Sequence, residues 1–156
     1  MGKGHDPYTD NPDSLNQELQ QNLDAVIGSN NYDHGHIFSA IRKGKSGHAG
    51  AIGGFCKDDV KGSAWSDSGQ PEGTQFTYLV AHEIGHQLGA NHTFSASTEP
   101  FGTNVEPGSG STVMSYGGNL GMGVNLVTYY GDHYFHHVSI NQTRNYLQSQ
   151  SCHTEV

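Results

Sequence analysis

The sequence predicts a single α/β domain spanning residues 1–156. Apolar residues recur at the helical period in three separate segments, and short apolar runs typical of strands lie between the first two. The length of 156 residues is that of one domain. Residues 1–13 show no such period, and we expect a loose N-terminal arm there.

The first predicted helix covers residues 14–28. Ser14 and Gln17 form a capping-box pattern at its start, and Gly28 is a typical residue to end it. The apolar residues fall on one face of this helix: Leu15, Leu19, Leu23, Val26 and Ile27.

Three candidate strands follow the first helix. They cover residues 34–41, 50–56 and 62–66, and a Gly-rich, basic loop at 42–50 separates the first two.

Helices are predicted again in the second half of the chain. One runs from Thr74 to Gly89, and the last covers about residues 139–149. Residues 95–131 are rich in glycine and have no period, which indicates a long loop. A loop of this length in a compact domain is usually functional.

The composition excludes several classes of function. A net charge of −8 with only 7 Lys and Arg residues argues against a nucleic-acid partner. No apolar run is long enough to span a membrane, and the N-terminus lacks the apolar core of a signal peptide, so an exported chain would carry its signal upstream or have lost it. Cys56 and Cys152 are too few for a four-thiolate zinc site and leave one long-range disulfide or two free thiols.

The segment LVAHEIGHQLGANHTF in the second helix predicts a metal site. His82 and His86 are four residues apart, so they differ by about 40° around the helix and point the same way. Glu83 is displaced by about 100°, too far for easy ligation but near enough to reach a water on the ion. Gly89 can adopt the positive φ that ends the helix and returns His92 to the same ion. Three neutral imidazoles with one open position suit a catalytic zinc.

This segment resembles the zinc signature of the metzincin metalloendopeptidases, whose second hallmark is a methionine-containing turn beneath the metal. The segment GSGSTVMSYGG is similar to that turn, and the resemblance makes Met114 the hydrophobic floor of the site and not a ligand. Within the metzincins, GHAGAIGGFCKDDVKGSAWS followed by the helix resembles the adamalysin/reprolysin layout. The segments NYDHGHIFSA, EPGSGSTVMSYGG and YFHHVSI look closer still to the bacterial reprolysin-like branch, and the resemblance covers roughly residues 14–152.

Two features depart from the family pattern. Thr93 stands where snake-venom and animal reprolysins have an aspartate. The strand, helix and strand with which the family's catalytic domain usually begins are absent upstream, so residues 34–41 are expected to form an exposed sheet edge. Either the chain is a shortened version or a neighbour supplies the missing strands.

The resemblance implies a short twisted mixed sheet packed on an active-site helix. A Gly-rich lower subdomain with the Met-turn and a C-terminal helix complete the expected metzincin-like fold. Residues 50–56 would be the rim on which a protein or peptide substrate pairs in extended conformation.

The implied activity is that of a secreted zinc-dependent endopeptidase. One catalytic zinc would be bound by His82, His86 and His92 and would lower the pKa of its water to about 7. Glu83 would accept the proton of the attacking water as general base and pass it to the leaving amine. The sequence indicates no calcium site and specifies no oligomeric state.

Tyr116 and the two cysteines acquire roles through the same resemblance. Tyr116 lies two residues after the methionine, where astacins and serralysins have a tyrosine that binds zinc or stabilises the oxyanion. The reprolysin pattern favours a packed loop tyrosine instead, and both roles stay open. Cys56 and Cys152 match a reprolysin disulfide, with free buried thiols as the alternative, and a disulfide would imply a secreted or periplasmic location.

Two other functions fit the same pattern. A catalytically inactive, zinc-stabilised extracellular interaction domain is favoured by the missing strands, but such a domain needs no base at Glu83. A metallohydrolase acting on non-peptide substrates could use the same site. His133, His136 and His137 could suggest a second metal site, but they are expected to flank the last helix. His34, His36 and His48 are expected to be structural or exposed.

Overall fold

Three short strands form a mixed sheet in the computed structural model, which describes residues 6–40, 46–97 and 99–152. The strands are β1 (His36–Ser39), β2 (Ser46–His48) and β3 (Ala64–Asp67), in the order β1-β3-β2. β3 pairs in parallel with β1 and antiparallel with β2. The predicted α/β architecture with a small mixed sheet is therefore confirmed, and β1 lies at one edge of the sheet in the described part of the chain.

The three α-helices are α1 (Pro12–Val26), α2 (Gly73–Gln87) and α3 (His137–Gln148), and the first two pack on this sheet. α1 and α2 lie on opposite faces of β3. The contacts of Trp65 and Ser66 show this, since successive side chains of a strand point to opposite sides. Trp65 donates a hydrogen bond from Nε1 to Oδ1 of Asn16 on α1, at 3.1 Å. Ser66 instead contacts His36, whose ring also reaches Gln87 of α2. The central strand is thus buried between two helices.

The first helix begins two residues earlier than predicted. Asn11 is the N-cap and accepts a hydrogen bond from the backbone N–H of Asp13, and Pro12 occupies the first turn, where its missing N–H costs nothing. The predicted capping box of Ser14 and Gln17 is wrong, because the Asn-Pro pair supplies the stronger start signal.

The described part of the predicted N-terminal arm contacts α1. Both the backbone N–H and the hydroxyl of Thr9 donate to Glu18, at 2.8 and 2.7 Å, and Asn22 donates to the hydroxyl of Tyr8 at 2.9 Å. Residues 1–5 lie outside the described residues.

The predicted strand at 50–56 is wrong. Gly50, Gly53 and Cys56 have positive φ angles of 74°, 68° and 66°, which an extended strand cannot accommodate. The backbone N–H groups of Gly53 and Phe55 donate to the last carbonyls of α2 instead of to a neighbouring strand. The strand at the edge opposite β1 is β2, which lies within the segment predicted as a loop.

The long loop and the last helix agree with prediction. In the described part of residues 95–131, a short 3-10 stretch covers Leu120–Asn125, and α3 follows this loop with His136 as its N-cap. The hydroxyl of Tyr146 on α3 donates to the carbonyls of Gly53 and Phe55, and a disulfide joins Cys56 to Cys152, which lies just after α3. No helix among the described residues is long and apolar enough to cross a membrane.

Candidate active site

α2 and the turn after it bring three histidines together. His82 and His86 lie one turn apart on the buried side of α2. Gly89 ends the helix with a φ of 87°, as predicted, and the backbone N–H of Ala90 closes the end by donating to the carbonyl of Gly85 at 2.9 Å. The chain then reverses and carries His92 back towards the helix.

The Nε2 atoms of the three rings converge on one point. The separations are 3.1 Å between His82 and His86, 3.1 Å between His86 and His92, and 3.3 Å between His82 and His92. Nitrogen ligands about 2.0–2.1 Å from a tetrahedral zinc are themselves about 3.3 Å apart. The three rings therefore fit a metal ion of this size.

The other ring nitrogens fix the tautomer of each histidine. Nδ1 of His82 donates to the carbonyl of Val113 at 2.6 Å, and Nδ1 of His86 donates to the carbonyl of Ala90 at 2.8 Å. Nδ1 of His92 lies 2.8 Å from Oε1 of Glu99. Because carbonyls and carboxylates only accept, each Nδ1 carries the proton and each Nε2 presents a lone pair. Three lone pairs that face one another are the donor set of a cation site.

Burial keeps the rings of His82 and His86 neutral. It lowers the pKa of His82 to about 3 and that of His86 to about 4, and the neighbouring imidazoles lower both further. A neutral imidazole is the form that binds a metal.

Glu83 lies beside the three rings in a buried position. Its side chain is 6% exposed, and burial raises its pKa to about 7. It packs against Gly47 of β2, where an added Cβ would lie 2.5 Å from Oε1 of Glu83. Two cavities of about 440 and 260 Å³ meet at this point, and both are lined by Gly47, His82, Glu83 and Tyr116.

Gly47→Ala is expected to lower kcat for the reaction of this site by about 10–100-fold, because the methyl group must displace the Glu83 carboxylate. The melting temperature should change little, since the atoms in its way belong to a flexible side chain. Turnover and thermal unfolding of the variant would be compared with Gly54→Ala, whose added Cβ would meet its nearest atom at 3.3 Å. An unchanged kcat in Gly47→Ala would show that the contact does not control Glu83.

Met114 packs against α2, the helix that carries His82 and His86. It is fully buried in a small core with Ala90 and Val113, and an added Cβ on Gly85 of α2 would lie 2.3 Å from its sulfur. The carbonyl of Met114 accepts a hydrogen bond from the backbone N–H of Thr93 at 3.0 Å. The methionine turn is thus joined directly to the segment that carries His92.

Tyr116 closes one side of the same site. Its ring stacks on Phe94, with the ring centroids 4.4 Å apart, and lies 4.8 Å from the ring of His92. Burial raises the pKa of Tyr116, and the charges of Glu99 and Glu83 raise it further.

Four of the other histidines have local partners. His34 and His36 both bond to the buried side-chain oxygen of Gln87, at 2.7 and 3.2 Å. His133 packs edge-on against Tyr78, and His136 accepts the hydrogen bond that caps α3. Within the described ranges, three metal-binding side chains come together only at His82, His86 and His92.

Comparison with known proteins agrees with this geometry. The family model described as "Metallo-peptidase family M12B Reprolysin-like" matches residues 4–147. The chain belongs to the reprolysin-like metallopeptidases of family M12B. It is also 35% identical over 84 residues to Matrilysin of Rattus norvegicus, a match that covers 51% of this chain. The chain spans 31% of the length of that relative.

Three residues of the reprolysin-like site carried no sequence signal. Gly47 lay in a predicted loop, and Glu99 and Glu106 lie in a region without periodicity. Glu106 is buried and accepts hydrogen bonds from the hydroxyls of Thr93 and Thr112 and from the backbone N–H groups of Ser111 and Thr112. Thr93, the departure from the animal reprolysins, is therefore a fully buried donor to this carboxylate.

Proposed function

We propose that this chain is a secreted zinc-dependent endopeptidase that uses Glu83 as its general base. The observation that carries the proposal is the convergence of three Nε2 lone pairs, 3.1–3.3 Å apart, beside a buried carboxylate at the meeting point of two cavities. Membership of a metallopeptidase family supports the same reaction class.

His82, His86 and His92 would hold the zinc ion through Nε2, with Met114 beneath them as an apolar floor. When bound, zinc supplies Lewis acidity that makes water nucleophilic near neutral pH and polarises the peptide carbonyl. The hydrogen bonds on each Nδ1 keep the rings in the tautomer and orientation that this role needs.

Glu83 would move the proton. Its carboxylate accepts the proton of the attacking water and then donates it to the leaving amine, so one group acts as base and then as acid. Burial raises its pKa to about 7, near the value at which a group can both accept and release a proton at neutral pH. A dication held next to it would favour the charged carboxylate and keep the base available.

An extended peptide fits the cleft between the two cavities. In the described part of the chain, β2 pairs with β3 on one side only, so its other edge can pair with the backbone of a substrate. Gly47 has no side chain at the point where that backbone would pass Glu83. This supports a protein or peptide as the substrate class.

We assign Tyr116 a packing role, because its ring stacks on Phe94. Tyr116→Phe keeps this ring and should retain the turnover of the wild type. If the hydroxyl stabilised the oxyanion, the same substitution would lower kcat by about 10²–10³-fold. Steady-state kinetics on one peptide distinguishes the two roles.

The disulfide supports the proposed secreted location. The Cys56–Cys152 bond is of a kind that persists in oxidising compartments, which supports a secreted or periplasmic setting.

Incubation of the purified chain with unfolded casein tests the proposed function. The zinc-loaded protein is expected to cut casein into internal fragments, which mass spectrometry would detect. Chelation of the zinc should stop the cleavage, and added zinc should restore it. Zinc binding without any cleavage would favour a zinc-stabilised interaction domain. Cleavage of a small ester or amide but of no peptide would favour a metallohydrolase of another class.

A further inference from the structure

The third histidine of the site has a different partner from the other two. Nδ1 of His82 and Nδ1 of His86 donate to backbone carbonyls, whereas Nδ1 of His92 lies 2.8 Å from the carboxylate of Glu99. We infer that Glu99 is a positioning residue of the metal site, which acts through His92 to increase the affinity for zinc. This inference rests on the proposed metal site, but it does not require that the site cleaves peptides.

The loop that carries Glu99 is anchored to the segment after His92. The backbone N–H of Glu99 donates to Oδ1 of Asn104 at 3.1 Å, and Nδ2 of Asn104 donates to the carbonyl of Phe94 at 2.6 Å. The hydroxyl of Thr103 donates to the carbonyl of His92 itself at 2.8 Å. Residues 99–104 therefore fold back on His92 and hold the carboxylate in place.

His92 needs such support more than the two helical ligands do. It lies beyond the end of α2, so no helical hydrogen bonds fix its backbone, and its side chain is 16% exposed, whereas His82 and His86 are buried. A carboxylate on Nδ1–H fixes the ring orientation and makes Nε2 a more basic ligand than a carbonyl partner does. Glu99 is itself only 27% exposed, which reduces the screening of its charge by solvent.

Zinc affinity measured by competition with a chelator tests the inference. Glu99→Ala is expected to weaken zinc binding by about 10–100-fold. Glu99→Gln keeps an acceptor oxygen but loses the charge, so it should give an intermediate loss. Glu72→Gln makes the same acid-to-amide change at an exposed residue at the start of α2 and should bind zinc as the wild type does.

A second readout separates positioning from a general effect on the fold. In the zinc-loaded wild type, the Nδ1–H proton of His92 should give a downfield NMR signal, which Glu99→Ala removes while the signals of His82 and His86 persist. The metal-free forms of the wild type and of Glu99→Ala should melt at the same temperature.

Equal zinc affinity in the wild type and Glu99→Ala would overturn the inference. A loss of zinc affinity in Glu72→Gln as large as that in Glu99→Gln would also overturn it. A wild type that binds no zinc would overturn it together with the proposed function. If zinc binds more weakly to Glu99→Ala but the wild type cleaves no peptide, the proposed function fails and the role of Glu99 stands.

Discussion

Glu83→Ala is expected to lower kcat/KM for peptide hydrolysis by about 10²–10⁴-fold, while the protein still binds one zinc ion. The carboxylate is the buried acid that lies beside the three imidazoles, between the two cavities. Removal of the base leaves the ligands intact, because each ring is held by its own Nδ1 partner. The loss should appear in kcat more than in KM, since the proton transfer occurs in the transition state.

Kinetics and metal content must be measured on the same samples of Glu83→Ala. Glu72→Ala serves as the control, because it removes an exposed carboxylate from the start of the same helix. Wild-type turnover in Glu83→Ala would rule out this residue as the base. Loss of zinc from the variant would instead assign Glu83 to metal binding.

Glu106→Ala should have the second large effect, on stability and on the metal site together. The substitution removes the shared acceptor of two backbone N–H groups and two hydroxyls, and an unsatisfied buried donor costs about 1–3 kcal/mol. A loss on the order of 3 kcal/mol would lower the melting temperature by about 6–12 °C. Zinc affinity should also fall, because Glu106 joins Thr93, next to His92, to the methionine turn.

The contribution of Glu106 to the stability of the fold should decrease at low pH. Burial alone would raise the pKa of Glu106, but the hydrogen bonds from Ser111, Thr112 and Thr93 outweigh burial and lower it from the usual 4.5. A group with a lowered pKa stabilises the fold fully above its unfolded value, and this stabilisation is lost as the pH falls through the folded value. The stability difference between the wild type and Glu106→Gln should therefore shrink below about pH 4.5.

Chemical denaturation of the wild type, Glu106→Ala and Glu106→Gln at several pH values measures both effects. Glu72→Ala again serves as the control and should unfold as the wild type does. A Glu106→Ala variant of wild-type stability and zinc affinity would contradict the proposed role. A difference between the wild type and Glu106→Gln that is constant with pH would contradict the charge dependence.

The parts of the site that depend on local pattern could be predicted from the sequence. His82 and His86 are one helical turn apart, and Gly89 supplies the reversal, so the spacing alone brings the histidines together. α2 and α3 were predicted for the same reason, since the period of their apolar residues is a local property. At the start of α1, the Asn11-Pro12 signal is also local, and it starts the helix two residues before Ser14.

The parts that depend on distant contacts could not be predicted. β2 consists of Ser46, Gly47 and His48, which have little preference for a strand and become one only because they pair with β3. Glu106 meets Thr93 from 13 residues away, and no pattern links the two. The segment at 50–56 has the apolar residues of a strand, but contacts with the end of α2 determine its conformation.

A zinc titration of the metal-free protein, with peptide cleavage as the readout, tests the central claim most directly. The proposed site predicts that activity rises in proportion to added zinc and stops rising at one equivalent, because His82, His86 and His92 form one site. Cleavage that is independent of zinc, or one bound equivalent of zinc without cleavage, would contradict a zinc-dependent endopeptidase.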